Sequence, residues 1–489
     1  MTIETSSFVT MHPARLDADP SRLVTRLVLP REDEAGSNLR AQQLVDRLDA
    51  IPTHEATDVV RENLERFAGA HVDFARDILH NSRIAGSLLH DHTNLDASHE
   101  MLMGMAFTSE FATEAAAICN PSVVIHPDQS GLKAGTMRVA VSLRAIGEGH
   151  ISSLCFAEAI IGKHSWAFQP RLTPPALADV VEGEAAFGSS ASTRPPFDRR
   201  LEMASTNVGQ APAYAASAEF QTINGIPNRR RTNAGPNHDL GRRVDDKVML
   251  YRATFDPSTH LSQRILLPEV FDEAHGIEDA RFVTTVDENG VPGYRASYVA
   301  FDGTAAVPRL MISPDLLSFE IFKMTGPGTA DKGLALFPRQ VNGENLALTR
   351  TGWQDISLAR SHDGLHWFAT DVLYTPSGTW EILKSGNCGS PIEIDQGWLV
   401  ITHGVGPVRG YSIGAILLDK KDPTLVIGRM AKPFIFTMGI NVNGYVPNVV
   451  YSCGGIVHDG TLWLPFAEGD NCVRVASLEI DDLLAAMTP

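Results

Sequence analysis

The stretch SHDGLHW (361–367) repeats the pattern of an earlier stretch, SPDLLSF (313–319). Each has a serine first, an aspartate two residues later and an aromatic residue at its end, and the two stretches begin 48 residues apart. A period of about 40 to 50 residues with about four strands in each repeat is typical of a β-propeller. In the alternative interpretation each stretch only closes a β-hairpin, because Asp-Gly is a common hairpin turn. We predict a propeller.

The surrounding sequence agrees with a β-rich body. From about residue 247 onward, short apolar runs alternate with turns and helical periodicity is scarce. The runs include VMLYRATF, RFVTTV, YRASYVAF, RLMIS, LALTR, WLVITHG and IGAILLD. Residues 118–165 contain similar runs. We therefore predict an all-β body over residues 111–489.

The first part of the chain has a different pattern. In NLRAQQLVDRLDAI (38–51) and ATDVVRENLERFAGAHVDFARDIL (56–79), apolar residues recur at helical spacing with charged residues between them. This predicts a helical N-terminal extension over residues 1–110. A region at about 170–245, rich in proline, glycine and basic clusters, is predicted to be a partly helical insertion in the β body.

Composition excludes several classes of partner. The chain has 489 residues and a formal net charge of −17, which argues against nucleic acid and anionic membranes as partners. No apolar run reaches the length of a membrane span, and the N-terminus lacks the pattern of a signal peptide. The five cysteines form no CxxC pair, so we expect reduced thiols and a cytoplasmic protein.

The segment HGIEDARF (275–282) places four titratable or charged residues at the start of an expected strand. Neighbouring residues of a strand point to opposite faces, so only one of Glu278 and Asp279 is expected to face a cavity. The alternative interpretation gives the segment a structural role only, in which the acidic pair forms a salt bridge with Arg281.

Basic residues also recur at expected strand starts and ends. Taken singly, each of these residues can be explained without a ligand, either as a surface charge or as a buried histidine that is hydrogen-bonded to the backbone. They are Lys332, Arg350, Lys384 and His403. In so acidic a chain, an anionic ligand needs a local basic pocket of this kind.

Residues 276–281, GIEDAR, resemble the Gly-x-Glu-Asp-Pro-Arg signature of glycoside hydrolase family 130, the β-mannoside phosphorylases and related β-mannosidases. Further segments resemble that family in the same order: ALFPRQVNGENLALTR (335–350), KSGNCGSPIEIDQGWLVITHGV (384–405), YSIGAILLDKKDPTLVIGR (411–429) and GYVPNVVYSCGGIV (444–457). The similarity covers about residues 118–480 and implies a five-bladed β-propeller. The helical extension and the insertion lie outside the minimal family domain.

The resemblance also implies a reaction. Asp279 matches the family's general acid, with its proton thought to pass through a hydroxyl of the mannosyl ring. Inorganic phosphate, as co-substrate, attacks the anomeric carbon and a β-mannoside yields α-mannose 1-phosphate; no cofactor or metal is implied. Phosphate-binding positions match Lys332, Arg350, Lys384 and His403. Substrate-binding candidates are Asn120, Arg144, Glu278, Arg281, Asp355, Tyr411 and Asp470.

The sequence departs from the family pattern at several places. Ala280 stands where proline is usual, Lys332 where phosphorylases often carry arginine, and FAEGDN (466–471) where YYGAAD is usual. The lysine loses the bidentate geometry of a guanidinium. Because an arginine lowers the pKa of a neighbouring carboxyl, we expect Arg281 to pair mainly with Glu278 rather than with the acid.

Two other functions remain open. One is a β-mannosidase of the same fold, in which Glu393, Glu468 or Glu148 serves as a distant base for water. The other is a glycan-binding or mannosyl-transferring propeller. The presence of the acid Asp279 favours catalysis over binding alone. The basic residues favour the phosphorylase. HDHTNLDASH (90–99) is interpreted as a polar loop, and the helical extension as a possible homo-oligomer interface.

Overall fold

The computed structural model describes residues 2–29, 39–88, 95–183, 249–286, 290–330, 332–350, 352–438 and 445–488. These residues form a mostly β structure with a group of helices near the N-terminus. Among the described helices, none has the length and apolar character needed to cross a membrane.

The strands up to residue 266 are β1 Thr2–Thr5, β2 Thr10–Asp17, β3 Leu23–Leu27, β4 Thr108–Ala112, β5 Ala117–Ile125, β6 Met137–Ile146, β7 Ser152–Gly162, β8 Ser165–Phe168, β9 Ala176–Leu177, β10 Asp179–Glu182, β11 Met249–Thr254 and β12 Arg264–Leu266. The next are β13 Gly276–Val286, β14 Pro292–Phe301, β15 Ala306–Ser313, β16 Ser318–Lys323, β17 Ala335–Leu336, β18 Asn345–Thr349, β19 Ile356–Ser361 and β20 Phe368–Tyr374. The last are β21 Lys384–Asn387, β22 Ile392–Ile394, β23 Gly397–Val405, β24 Tyr411–Leu418, β25 Val426–Met430, β26 Ile435–Met438, β27 Val450–Tyr451, β28 Ile456–His458, β29 Thr461–Glu468, β30 Cys472–Glu479 and β31 Met487–Thr488. The helices are α1 Leu39–Asp49, α2 Thr53–Phe67, α3 Phe74–Leu88, α4 Ala97–Ala106 and α5 Ile480–Ala485.

Five antiparallel units recur among these strands. In chain order they are β5 to β8, β13 to β16, β17 to β20, then β21 with β23, β24 and β26, and finally β27 with β29, β30 and β2. Each unit packs its apolar side chains against the next through a buried cluster. A fifth cluster joins the last unit to the first, since Trp463 and Val473 pack with Val139 and Val141.

The repeated stretches occupy the same place in two of these units. Each forms the turn between the third and fourth strands, β15 to β16 and β19 to β20. Asp315 Oδ1 and Asp363 Oδ1 each accept two successive backbone N–H groups at 2.8–3.0 Å. The aromatic residues that end the stretches, Phe319 and Trp367, are buried. The stretches are therefore hairpin turns and also members of a structural repeat.

Residues 2–27 contain strands and no helix. Strand β2 forms the edge of the last unit by pairing antiparallel with β30, from Thr10 opposite Ser477 to Asp17 opposite Cys472. Strand β1 pairs with β26, and β3 with β4. The prediction of helix from residue 1 is wrong here because the hydrogen-bonding partners of β2 lie more than 450 residues away in sequence, where local periodicity carries no information.

Helices do follow between residues 39 and 106, where α1 to α4 pack around a core of their own that includes Val45, Val60, Leu102 and Phe107. Helix α4 begins after Asp96, whose carboxylate accepts the N–H groups of Ser98 and His99. The backbone N–H of His99, followed by the His99 ring, lowers the pKa of Asp96 to about 2.

The predicted polar loop HDHTNLDASH lies only partly within the described residues, and its first two histidines, His90 and His92, lie outside them. Its last histidine has structural contacts, since His99 Nε2 lies 2.8 Å from the carbonyl oxygen of Ile51. The predicted insertion is described only to residue 183, where it contains β9 and β10. Its remainder, to about 245, lies outside the described residues.

A buried charge cluster ties the N-terminal segment to the β body. Glu114 Oε1 forms an ion pair with Arg22 Nε at 3.0 Å and accepts a hydrogen bond from Arg171 Nη1 at 2.6 Å, and the side chains of Glu114 and Arg22 are fully buried. Arg22 also donates to the carbonyl oxygens of Leu172 and Ser262, at 3.0 and 2.7 Å. Glu114 is thus the counter-charge of two guanidinium groups.

Replacing Glu114 with glutamine is expected to lower the free energy of unfolding by about 3–5 kcal/mol, because it leaves two guanidinium groups without a counter-charge in the interior. Urea unfolding followed by circular dichroism measures the change. Asp58→Asn is the matched control, since its ion pair with Arg61 is mostly exposed and contributes little to stability because solvent screens it. Equal unfolding midpoints for the two variants would contradict the prediction.

Candidate active site

The segment HGIEDARF enters β13, and the pairing of β13 with β14 shifts between Glu278 and Arg281. Asp279 and Ala280 together stand opposite one residue of the partner strand, which is a β-bulge. Asp279 takes a φ of 53°, in the left-handed region. A bulge breaks the alternation of side chains, so neighbouring residues no longer point to opposite faces.

Both carboxylates consequently meet the same cation. Arg144, on β6, lies 2.7 Å from Glu278 Oε1 and 3.6 Å from Asp279 Oδ1. Its Nε donates to Ser152 Oγ at 2.9 Å, which fixes the guanidinium plane. The prediction that only one of Glu278 and Asp279 could face a common cavity is wrong, because the bulge turns both toward Arg144.

The Asp279 side chain is 18% exposed and so remains reachable from solvent. The amide of Asn120 donates a hydrogen bond to its Oδ1. Burial raises the pKa of Asp279, but the nearby cations, with Arg144 foremost, outweigh burial and hold that pKa below its usual value. Without a ligand, Asp279 is therefore an ionised carboxylate at neutral pH.

Arg281 does not pair with Glu278. Its Nη1 donates to the backbone carbonyl of Asp279 and its Nη2 to the hydroxyl of Tyr451, both at 3.0 Å. Glu278 is held instead by Arg144 and by Lys332 Nζ at 3.2 Å. The predicted Arg281–Glu278 pair is wrong because the bulge directs Arg281 toward Tyr451.

Asp470 lies within electrostatic reach of the same residues. Burial raises the pKa of its carboxyl to about 6, and the negative charges of Asp279 and Glu278 act in the same direction. Its Oδ1 is buried without a hydrogen-bond partner among the described residues, and the same holds for Oδ1 of Asn120. These two acceptor atoms can receive hydrogen bonds from a ligand. We call Glu278, Asp279 and Asp470 the carboxylate cluster.

Three basic residues lie together on neighbouring strands. Arg350 directly follows β18, Lys384 begins β21 and His403 lies in β23; all three are buried. We call them the basic cluster. They are packed around Gly386 of β21, where a Cβ atom would stand 2.5 Å from His403 Cε1 and 3.1 Å from Arg350 Cδ. Only glycine leaves room for both side chains at this place.

Aromatic rings hold the basic cluster in position. Lys384 Nζ lies 5.6 Å from the ring centre of Tyr411 and 5.4 Å from that of Trp353. His403 stacks on Tyr411 with ring centres 6.0 Å apart. Cation–π contacts of this kind attract an ammonium group without neutralising its charge. The rings therefore restrict the positions of Lys384 and His403.

Two bridges connect the basic cluster to the carboxylate cluster. The ring of His403 lies 4.9 Å from that of Tyr451, whose hydroxyl receives Arg281. Arg350 Nε donates to the backbone carbonyl of Lys332 at 3.1 Å, and Lys332 Nζ reaches Glu278. The side chain of Lys332, predicted to bind phosphate, is thus ion-paired with the carboxylate cluster.

Asp355 is the predicted residue with the weakest connection to this site. It is half-buried just before β19, and no hydrogen bond or ion pair joins its carboxylate to another described residue. Its neighbour Gln354 accepts the N–H of Ser385 at 3.0 Å, which places the turn beside the start of β21.

Sequence reasoning missed two aromatic residues here. Tyr451 connects Arg281 to His403, and nothing in its local sequence indicates this. Trp353 lies beside Lys384, is 38% exposed and has a φ of 75°. Left-handed backbone at so bulky a residue is strained, and such strain concentrates at functional sites. The Gly-Trp pair in a turn after Arg350 was the available signal.

The glutamates considered as bases for water are all engaged elsewhere. Glu393, on β22, pairs with Arg339 at 2.7 Å. Glu468 pairs with Arg474 at 3.1 Å, and Glu148 accepts the N–H of Ala112 at 3.0 Å.

Comparison with known proteins identifies relatives of this chain. The family model described as beta-1,4-mannooligosaccharide phosphorylase matches residues 256–488. The 1,2-beta-oligomannan phosphorylase of Thermoanaerobacter sp. (strain X514) is 31% identical over 259 residues, which are 52% of this chain and 85% of that protein. The beta-1,2-mannobiose phosphorylase of the same organism is 33% identical over 220 residues, 44% of this chain and 70% of that protein.

Among solved structures, the beta-1,2-mannobiose phosphorylase from Listeria innocua in complex with beta-1,2-mannobiose matches with a TM-score of 0.45 and 19% identity, over 77% of this chain and 92% of that one. The sequence matches place the chain among the relatives of glycoside phosphorylases. It belongs to glycoside hydrolase family 130, the mannoside phosphorylase family.

Proposed function

We propose that this protein is an inverting glycoside phosphorylase. It would cleave a β-mannoside with inorganic phosphate and release α-mannose 1-phosphate and a free acceptor sugar. The observation that carries the proposal is the basic cluster, in which three buried basic residues from three strands lie beside the carboxylate cluster in a chain of net charge −17. Buried positive charge of this kind favours binding of a phosphate dianion.

The proposed reaction exchanges one bond for another at the anomeric carbon. A phosphate oxygen forms a bond to that carbon as the glycosidic bond breaks, and the glycosidic oxygen takes a proton. Asp279 supplies this proton, through a mannosyl hydroxyl as the family resemblance implies. Phosphate attacks from the face opposite the leaving group, so the configuration inverts. The basic cluster holds the phosphate and lowers the repulsion that a dianion meets at an acidic protein.

Hydrolysis with inversion needs a second carboxylate that removes a proton from water. Phosphate needs no such base, because it is already a nucleophile at neutral pH. The three candidate glutamates are bound elsewhere, whereas the basic cluster surrounds a glycine that leaves space for it. Both observations favour phosphate over water as the nucleophile.

The carboxylate cluster is proposed to hold the mannosyl ring. The unpartnered oxygen atoms of Asn120 and Asp470 would accept hydrogen bonds from sugar hydroxyls, which satisfies buried polar atoms that are otherwise costly. Glu278 and Arg144 would contact the mannosyl ring on the same side. Tyr411 and Asp355 are assigned to the substrate by family resemblance.

The five antiparallel units are proposed to be the blades of a five-bladed β-propeller. The successive apolar clusters, with the fifth joining the last unit to the first, support a closed ring. The site residues of both clusters lie on or beside the first or second strands of these units, among them β5, β6, β13, β18, β21 and β23. Strand β2 belongs to this ring, so we place residues 10–17 with the catalytic body and limit the helical extension to the residues after β3.

A reverse-direction assay tests the proposal. The purified protein is incubated with α-mannose 1-phosphate and single acceptors, namely mannose, glucose, N-acetylglucosamine, β-1,2-mannobiose and β-1,4-mannobiose. We expect phosphate release that depends on the acceptor, and the best acceptor identifies the aglycone. If no acceptor causes phosphate release but β-mannobiose releases mannose in phosphate-free buffer, the protein is a β-mannosidase instead. If neither phosphate nor mannose is released, a binding role remains.

A further inference from the structure

An aromatic pair stands beside the carboxylate cluster, formed by residues far apart in sequence. The ring centres of His150 and Tyr445 are 5.7 Å apart, and the Tyr445 hydroxyl lies 2.9 Å from His150 Nδ1. His150 is exposed and Tyr445 is half-buried. Such rings offer an apolar face and polar edges at one place, the combination that a sugar ring requires.

His150 is held by the same framework as Arg144. It belongs to the turn that joins β6 to β7, and Ser152, two residues later, accepts the hydrogen bond from Arg144 Nε. The turn is unusual because both Gly149 and His150 have positive φ, 64° and 60°. Non-glycine residues in this region persist where the surroundings fix them, and they concentrate at binding sites.

Tyr445 is anchored next to two other members of the site. Its side chain packs against Ala117, Cys119, Ile146 and Ala467. Cys119 directly precedes Asn120. The N–H of Val446 donates to the carbonyl oxygen of Gly469 at 2.9 Å, and Gly469 directly precedes Asp470. The aromatic pair therefore borders the carboxylate cluster on the side of β5, β6 and β29.

The basic cluster comes from other strands, since Arg350, Lys384 and His403 belong to β18, β21 and β23 or follow them directly. In an inverting reaction the nucleophile and the leaving group occupy opposite faces of the anomeric carbon. An aglycone must therefore extend away from the basic cluster. The exposed Trp353 cannot receive it, because Trp353 lies beside Lys384.

We propose that His150 and Tyr445 form the platform that binds the aglycone sugar, with the sugar ring stacked on Tyr445 and a hydroxyl bound to His150. This inference rests on the proposed phosphorolysis, which determines the side on which the aglycone lies. It makes His150 and Tyr445 a determinant of acceptor specificity. The pair binds the acceptor and leaves the mannosyl phosphate to the other two clusters.

The test is a set of steady-state measurements in the reverse direction with wild type, Tyr445→Ala and Tyr445→Phe. We expect Tyr445→Ala to raise the KM of the best acceptor by about tenfold, the size of a lost stacking contact. The KM of α-mannose 1-phosphate should stay within about twofold. Tyr445→Phe keeps the ring and should retain most of the acceptor affinity. Equal rises in both KM values, or an unchanged acceptor KM, would overturn the platform.

Phe368→Ala is the matched control. Phe368 forms another exposed aromatic pair with a histidine, His366, with ring centres 4.7 Å apart, on a strand outside the site. Its replacement should leave both KM values unchanged. Thermal melting of each variant shows whether a change in KM accompanies a loss of folded protein.

A binding measurement separates failure of the platform from failure of the proposed function. If wild type releases no phosphate with any acceptor, the phosphorylase proposal fails. Isothermal titration of β-1,2-mannobiose and β-1,4-mannobiose into wild type and Tyr445→Ala then decides the platform. Binding by wild type that weakens about tenfold in Tyr445→Ala supports it. Equal affinities, or no binding by wild type, would overturn it.

Discussion

Asp279→Asn is expected to lower kcat for phosphorolysis of a β-mannobiose by about a hundredfold to ten-thousandfold, the usual contribution of a general acid. The asparagine keeps the shape of the side chain and can still contact Asn120 and Arg144, so the fold should persist. Steady-state phosphorolysis and circular dichroism measure the two effects together.

The ionised state of Asp279 in the ligand-free protein does not oppose this role. Arg144 and the other nearby cations lower its pKa, but a bound phosphate dianion adds negative charge close to those cations. Negative charge near a carboxyl raises its pKa. Phosphate binding thus prepares the acid for proton donation, and the two substrates are expected to act together.

An activated substrate supplies the control for Asp279→Asn. A nitrophenolate leaving group needs little protonation by an acid. The kcat for phosphorolysis of p-nitrophenyl β-mannoside should therefore fall far less than the kcat for the disaccharide. Near-normal turnover of the disaccharide by Asp279→Asn would show that another residue is the acid. Equal losses on both substrates would assign Asp279 a role in binding or positioning instead.

Lys384→Met is expected to raise the KM of phosphate by about 10- to 150-fold, the equivalent of one lost hydrogen bond to a charged group. Methionine fills the buried space of the lysine stem, so the effect reports on charge rather than on a cavity. The KM of the mannoside should change little. Initial rates at varied phosphate and fixed mannoside measure the effect, and His403→Ala should shift phosphate KM in the same direction.

Lys420→Met provides the comparison, because Lys420 is another partly buried lysine, with its Nζ on the carbonyl oxygen of Ile394 at 3.0 Å and near Glu393. It lies outside the site, and its replacement should leave phosphate KM unchanged. If Lys384→Met and Lys420→Met behave alike, the basic cluster is structural and phosphate binds elsewhere.

The sequence predicted the β-rich body well because strands and turns leave local signals. The Ser-x-Asp stretches identified equivalent turns in two units, and the GIEDAR segment lies at the bulge that brings Glu278 and Asp279 to Arg144. The basic residues at strand ends do converge around Gly386. These features depend on short segments whose side-chain pattern reflects their neighbours in the chain.

The errors have one common physical origin, which is pairing between distant segments. Arg281 donates to Tyr451, 170 residues away, instead of pairing with Glu278. The strand character of residues 10–17 depends on β30. Tyr445 and His150 meet across 295 residues. Local periodicity carries no record of such partners.

The pairing of β2 with β30 has a consequence for biosynthesis. Residues 10–17 leave the ribosome more than 450 residues before their partner, residues 472–479. Until then β30 is absent and the N-terminal strand has open hydrogen-bonding groups on its edge, which favours association with other chains. The last unit is completed only after β30 has been made, so a chaperone that shields the nascent β2 should raise the yield of native protein.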